Sequence, residues 1–181
     1  MSIKRLFRLK DIANYLTIFR CILGFPILIA LSSDNFIVAW LLIIIGGITD
    51  FLDGWLARKA GQSSKWGAQA DPLADKLMLI APIIFIGKVG LVPLWAIWLI
   101  ISREFLITAW RKNEESGGPA NKIAKIKTSV QFLSIILLLW PPTLVGISIL
   151  NSIRHLGLVL FWCSLFLGLF SAYKYTSNQS S

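Results

Sequence analysis

The stretch ITDFLDGWLARKAGQSSKWGAQADPLADKLMLI, residues 48–80, places acidic side chains at the margins of two apolar segments. Its four aspartates form two pairs, spaced three and four residues apart: Asp50 with Asp53, and Asp71 with Asp75. Residues at these spacings lie on one face of an α-helix, so each pair shares a face. Only the short loop from Arg58 to Gly67 separates the two segments. They are therefore predicted to be antiparallel neighbouring helices that bring the four carboxylates together.

The composition around this stretch is typical of a membrane protein. Of the 181 residues, 56% are hydrophobic, and the mean hydropathy is +0.71, whereas a soluble domain contains about 45–50% apolar residues. Apolar runs of about 20 residues, the length a helix needs to cross a bilayer, recur along the chain. The predicted fold class is an all-α polytopic membrane protein with six transmembrane helices. These lie near Ala13–Leu31, Ile37–Ala57, Ala70–Ile86, Val92–Trp110, Ile126–Leu144 and Leu156–Tyr173.

The ends of the chain differ from its apolar middle. Residues 1–12 alternate basic and apolar side chains, which predicts an amphipathic helix on the membrane surface; the alternative is a disordered basic tail. Residues 13–175 are predicted to form one membrane domain, and residues 176–181 a short polar tail. The start lacks a separate apolar core with a cleavage site, so no signal peptide is predicted. Pro141-Pro142 is expected to end or kink the fifth helix.

Basic residues indicate how the helices are oriented. The net charge of +9 could indicate nucleic-acid binding, but most Lys and Arg lie in short segments between apolar runs. If odd-numbered helices enter from one side, the opposite side carries only Lys88 and Arg154. Since basic loops stay in the cytoplasm, both termini are predicted to be cytoplasmic, in a plasma membrane of bacterial type. The predicted partners include membrane lipids and exclude nucleic acid.

The four aspartates need counter-charges. A charged group inside a membrane span costs at least about 2.5–3.5 kcal/mol, so each is a candidate functional residue. Four like charges in a partly dry site must be protonated, salt-bridged or neutralised by cations. Lys76 adjoins Asp75 but points to another side of the helix. Hard divalent cations, Mg²⁺ or Mn²⁺, suit carboxylate ligands, and four acids could hold two ions. A proton or sodium path in a transporter and a structural ion-pair network are the alternatives.

The same residues resemble a family signature. Asp50, Asp53, Gly54, Ala57, Arg58, Gly67, Asp71 and Asp75 match the CDP-alcohol phosphotransferases at every defining position. The resemblance extends to Asn14-Tyr-Leu-Thr17-Ile-Phe-Arg20 before the motif, and to Ser102-Arg103-Glu104 through Arg111 and Lys125-Ile-Lys127-Thr128 after it. Within the family, these segments are most similar to the bacterial phosphatidylglycerophosphate synthases.

The resemblance implies a reaction of phospholipid biosynthesis. CDP-diacylglycerol would give its phosphatidyl group to the 1-hydroxyl of sn-glycerol 3-phosphate, producing phosphatidylglycerophosphate and CMP. The resemblance also implies a homodimer of six-helix subunits, and two Mg²⁺ or Mn²⁺ ions per site held by the four aspartates, with Asp75 also the general base. The residues implied to bind CDP-diacylglycerol are Asn14, Thr17, Gly54, Arg58, Ser64 and Gly67.

The acceptor phosphate requires fixed positive charge. Arg111, Lys125 and Lys127, with Arg103 deeper in its helix, are the candidates. The alternative is that these side chains contact lipid headgroups. Glu104, beside Arg103, either orients the metal site or forms a buried pair between helices. Residues 113–121 are predicted to form a loop, which either covers the acceptor or is a plain linker.

Two other functions fit parts of the pattern. A cardiolipin synthase would share the motif but use phosphatidylglycerol as acceptor, and a diester needs fewer cations. A small cation transporter would use the acids to bind and release ions. Such transporters usually contain inverted repeats with broken helices, and no repeat is evident in this sequence.

Overall fold

A computed structural model describes residues 3–59, 65–112 and 122–177, and within them the side chains of residues 15–52, 73–108 and 126–173. These ranges contain no strand. They form six α-helices and one short 3₁₀ turn, Pro142–Leu144. The helices are α1 Ile3–Ser32, α2 Phe36–Lys59, α3 Lys65–Lys88, α4 Leu94–Lys112, α5 Lys122–Leu138 and α6 Ile147–Ser177. The all-α class and the six predicted helices are confirmed.

The predicted end of the fifth helix and the predicted start of the sixth were wrong. Helix α5 ends at Leu138, not Leu144, because Pro141 and Pro142 lack backbone donors and residues before a proline avoid the helical conformation. The predicted proline stop is thus confirmed. Helix α6 begins at Ile147, well before Leu156, because its first turns carry polar residues that lower hydropathy without opposing helix formation.

The first helix is continuous through the predicted boundary between a surface helix and a membrane span. Residues 3–32 form one α-helix, and Pro26 lies inside it. The location of residues 3–12 at a membrane surface stays a prediction.

The hydropathy of the helices indicates an integral membrane protein. Tyr15–Ser32 and Ile147–Tyr173 are long and apolar enough to cross a bilayer, with mean hydropathies of 1.9 and 2.0. Within the described side chains, Phe36–Leu52 of α2 and Ile126–Leu138 of α5 are shorter apolar segments. Large apolar side chains such as Phe25, Trp98 and Ile147 are exposed, as expected of a surface that faces lipid. The presence of six crossings stays a prediction.

The chain divides into two compact units, Met1–Pro82 and Ile83–Ser181. In the first unit, α1 packs along α2, and α3 approaches both where glycines remove side-chain bulk. A Cβ at Gly24 would lie 3.0 Å from the backbone oxygen of Leu77 in α3. A Cβ at Gly46 in α2 would overlap Met78 of α3. These close approaches align polar residues of three helices.

The second unit is built on a hairpin of α5 and α6, and α4 also contacts α6. Ile135, Leu138, Phe161 and Leu165 are buried in this unit. Ser134 Oγ donates a 2.9 Å hydrogen bond to the backbone oxygen of Gly157, which ties the two helices together. This packing positions the polar side chains that α5 contributes near its start.

Candidate active site

The carboxylates of Asp50 and Asp75 converge on one buried guanidinium. Arg20 Nη1 donates hydrogen bonds to Oδ1 of Asp50 and to Oδ1 of Asp75. The three residues come from α2, α3 and α1, respectively. Because both carboxylates contact the same nitrogen atom, one member of each aspartate pair lies beside a member of the other.

Burial differs sharply within this cluster. The Arg20 side chain is 0% exposed, whereas those of Asp50 and Asp75 are 54% and 39% exposed. A soluble ligand or ion can therefore reach the carboxylates, while the cation lies within the protein.

The packing of α1 explains how Arg20 reaches these acids. Thr17, Arg20 and Gly24 are spaced three and four residues apart, so they lie on one face of α1. Gly24 contacts the backbone of α3 at Leu77, two residues after Asp75. Thr17, predicted to bind the nucleotide, is buried on this same face with 1% exposure. The close approach of α1 to α3 thus sets the depth at which the guanidinium meets Asp75.

The donor set suits a hard divalent cation. Asp53 follows Asp50 by one helical turn in α2, and Asp71 precedes Asp75 by one turn in α3. The side chains of Asp53 and Asp71 lie outside the described residues. Among the side chains described, no three His, Cys, Asp or Glu residues gather into a metal-binding group. Among the described side chains, Arg20 is the cation shown in contact with Asp50 and Asp75. Carboxylate oxygens such as theirs are the ligands that Mg²⁺ and Mn²⁺ prefer.

A second charged cluster lies in the second unit. Lys127 Nζ on α5 donates a hydrogen bond to Oε1 of Glu104 on α4. Arg103 Nη1 donates to the same oxygen over 2.9 Å, and Arg103 Nε donates to the backbone oxygen of Gly168 on α6 over 3.1 Å. Two of the four predicted acceptor-phosphate residues, Lys127 and Arg103, are therefore brought together.

The Lys127 side chain is almost fully buried. Its side chain is 3% exposed, so contact with lipid headgroups alone does not explain its position. The described contacts also make Glu104 part of an ion pair between helices, which was one of its two predicted roles. Among the described side chains, the cluster contains two cations and one carboxylate, a balance that suits an anionic ligand such as a phosphate.

Comparison with known proteins identifies the family. Residues 10–170 match the sequence model described as CDP-alcohol phosphatidyltransferase. The chain belongs to this family. The resemblance carried by the aspartate motif is thereby confirmed, and both clusters lie within the matched range.

Relatives at 32–40% identity share a common name or a closely related one. A Rickettsia felis protein named CDP-diacylglycerol–glycerol-3-phosphate 3-phosphatidyltransferase is 32% identical over 172 residues, which cover 92% of this chain and 93% of the relative. A Haemophilus influenzae protein of the same name is 40% identical over 142 residues, covering 72% and 76%. A Mycobacterium tuberculosis protein named probable phosphatidylglycerophosphate synthase is 35% identical over 142 residues, covering 74% and 68%.

Several predicted site residues of this family member have no described side chain. Asn14, Gly54, Arg58, Gly67, Arg111 and Lys125 lie in helices, but their side chains are outside the described residues. Ser64 and the predicted loop 113–121 lie wholly outside the described residues. The roles of these residues stay predictions.

Sequence reasoning missed Arg20 as the partner of the aspartates. The available signal was its position inside an apolar helix, where an unpaired charge is costly, together with the excess of acid nearby. It also left open the pairing of Glu104 with Lys127. That pairing joins residues 23 positions apart on different helices, and no spacing rule within one helix indicates it.

Proposed function

We propose that this chain is a phosphatidylglycerophosphate synthase that transfers the phosphatidyl group of CDP-diacylglycerol to sn-glycerol 3-phosphate. Relatives that cover nearly the whole chain carry the name of this activity. The observation that carries the proposal for the site is the meeting of Asp50 and Asp75 at an accessible position. These two are the first and last aspartates of the family motif.

Four aspartates, Asp50, Asp53, Asp71 and Asp75, would hold two Mg²⁺ or Mn²⁺ ions. Bound there, such ions would neutralise the pyrophosphate of the donor and stabilise the charge on the departing CMP. The site at the margin of apolar helices allows the diacylglycerol tail to stay in the bilayer while the head reaches the carboxylates. The nucleotide contacts are proposed for Asn14, Thr17, Gly54, Arg58, Ser64 and Gly67.

In the transfer step, the acceptor hydroxyl oxygen bonds to the phosphorus that bears diacylglycerol. The bond between that phosphorus and the bridging oxygen breaks, and this oxygen leaves with CMP. Asp75 takes the proton of the hydroxyl as general base. Its side chain is 39% exposed, which is consistent with access by a small soluble acceptor.

The phosphate of the acceptor is proposed to bind Arg111, Lys125 and Lys127, with Arg103 contributing from α4. Support comes from the burial of Lys127 and Arg103 in a cluster with excess positive charge. A dianionic phosphate is a better match for such a cluster than the monoanionic diester of phosphatidylglycerol, which favours glycerol 3-phosphate over the cardiolipin reaction.

The proposed setting is a bacterial-type plasma membrane crossed six times, with both termini and the active site cytoplasmic. The enzyme is further proposed to be a homodimer. Its molar mass in detergent, measured by light scattering with correction for bound detergent, tests this state directly. A mass near 20 kDa for the protein component would contradict the dimer.

The reaction is tested by CMP release from purified protein in detergent with Mg²⁺ and CDP-diacylglycerol. We expect release to require glycerol 3-phosphate and to stop on addition of a chelator. Release that requires phosphatidylglycerol instead would assign cardiolipin synthesis. Ion flux into vesicles without CMP formation would favour the transporter.

A further inference from the structure

We propose that Arg20 is a built-in counter-ion that holds the Asp50–Asp75 pair together when no divalent ion is bound, and that divalent ions compete with it for these carboxylates. The inference rests on the proposed metal site and adds a role for a residue outside the aspartate motif. Arg20 would act as a positioning residue, because it works through the carboxylates of Asp50 and Asp75 that it contacts.

Charge and burial make Arg20 and the two aspartates depend on one another. Asp50 and Asp75 bond to the same nitrogen of Arg20, so their negative charges lie close together. Burying a guanidinium completely, with its charge, would be costly without such partners. The acids repel one another without a cation, and the cation is poorly solvated without the acids. Each side of the cluster therefore stabilises the other.

Divalent ions and Arg20 compete for the same carboxylate oxygens. Mg²⁺ and Mn²⁺ bind carboxylate oxygens, and the Oδ1 atoms of Asp50 and Asp75 already accept hydrogen bonds from Arg20. A bound ion and Arg20 would both be attracted to the negative charge of these two carboxylates. Arg20 therefore lowers the apparent affinity for the ion, and in return keeps α2 and α3 fixed on α1 in the ion-free protein.

This competition should affect how much a divalent ion stabilises the folded protein. A ligand that binds only the folded state raises its stability in proportion to the logarithm of its concentration over its Kd. Without Arg20, the repulsion between the acids of the ion-free site is less well compensated, and a divalent ion reduces that repulsion on binding. Loss of Arg20 should therefore destabilise the ion-free protein more than the Mg²⁺-loaded protein. A purely structural role would lower both melting temperatures equally.

The test compares wild type, Arg20→Gln and Arg154→Gln in detergent. Arg154→Gln is a charge-matched control, since the structure shows Arg154 in no salt bridge with a described carboxylate. Tryptophan fluorescence, from the eight Trp residues, reports melting in EDTA and in excess MgCl₂. The Mg²⁺-induced rise in melting temperature should be at least about twofold larger in Arg20→Gln than in wild type, since binding to the folded state alone sets this rise. In Arg154→Gln it should match wild type.

Equal Mg²⁺-induced rises in Arg20→Gln and wild type would overturn the inference while leaving the metal site intact. No rise in either protein would overturn the metal site and this inference with it. If Arg20→Gln does not fold under either condition, Arg20→Lys decides. Its single ammonium keeps a charge but lacks the fork of the guanidinium. A larger rise than wild type supports the inference, and an equal rise overturns it.

Discussion

Lys127 on α5 donates a hydrogen bond to the same carboxylate oxygen of Glu104 on α4 that Arg103 contacts. One acid therefore holds two cations of the proposed acceptor site. Glu104 is 22% exposed and Lys127 only 3%. Water therefore solvates the carboxylate of Glu104 better than the ammonium of Lys127. Loss of Glu104 would leave two cations close together, one of them almost fully buried.

Replacement of Glu104 by Leu should therefore destabilise the protein more than replacement of Lys127 by Met. Removing one partner of a buried ion pair costs about 3–5 kcal/mol, and the partial exposure of Glu104 sets the expected loss at the lower end. Thermal melting in detergent of both single variants and the double variant measures the coupling. The double variant should be more stable than the sum of the single losses implies. Strict additivity would contradict a direct interaction.

Replacement of Lys127 by Met should also weaken acceptor binding. A hydrogen bond to a charged group contributes about 1.5–3 kcal/mol, so KM for glycerol 3-phosphate should rise by roughly 10-fold to 150-fold. The KM for CDP-diacylglycerol should change little. Steady-state CMP release with each substrate varied in turn gives both constants.

Ser134→Ala is the matched control for this measurement. Ser134 lies seven residues after Lys127, two helical turns along α5, and its hydroxyl bonds to Gly157 and not to a charged residue. This variant should lose stability while keeping its KM for glycerol 3-phosphate. An equal rise in KM in both variants would show that general loosening of α5 causes the effect.

The helices and the aspartate motif could be predicted from the sequence, but the partners of the charged residues could not. Apolar runs and spacings of three or four residues are local, and they place Asp50 and Asp75 on helix faces. The contacts of Arg20 join residues 30 and 55 positions apart, and they depend on how each helix is rotated about its axis. Helix α3 also approaches α1 at Gly24 and α2 at Gly46 too closely for a larger side chain, which no local spacing indicates. Likewise, hydropathy did not mark the start of α6, because polar residues extend it.

Asp75→Asn should abolish turnover and leave the fold intact. Asparagine keeps the shape of the side chain and an oxygen that accepts a hydrogen bond from Arg20, but it cannot take a proton from the acceptor hydroxyl. A general base contributes roughly 10²-fold to 10⁴-fold, and loss of a metal ligand adds to this. CMP release measures turnover, and a melting curve checks the fold. Near-normal activity would show that Asp75 is not the general base.

Divalent ions should be required for turnover, and the loss of the Asp50 carboxylate should raise the Mg²⁺ concentration that activity needs. EDTA should stop CMP release, and added Mg²⁺ or Mn²⁺ should restore it. In Asp50→Asn, half-maximal activity should need at least about 10-fold more Mg²⁺, since even residues that only support a ligand change metal affinity by this factor. Asp34→Asn, a matched control in the turn before α2, should reach half-maximal activity at the same Mg²⁺ concentration as wild type. An unchanged Mg²⁺ requirement in Asp50→Asn would exclude Asp50 as a ligand.

The close approach of α1 to α3 at Gly24 should be necessary for activity. A Cβ there would lie 3.0 Å from a backbone oxygen of α3, which cannot turn aside as a flexible side chain can. Gly24→Val should therefore force the helices apart and pull Arg20, one turn earlier, away from Asp75. We expect a lower melting temperature and reduced CMP release. Gly146→Ala is the control, since a Cβ at Gly146 meets nothing within 4 Å. Wild-type turnover in Gly24→Val would show that activity does not require this close approach.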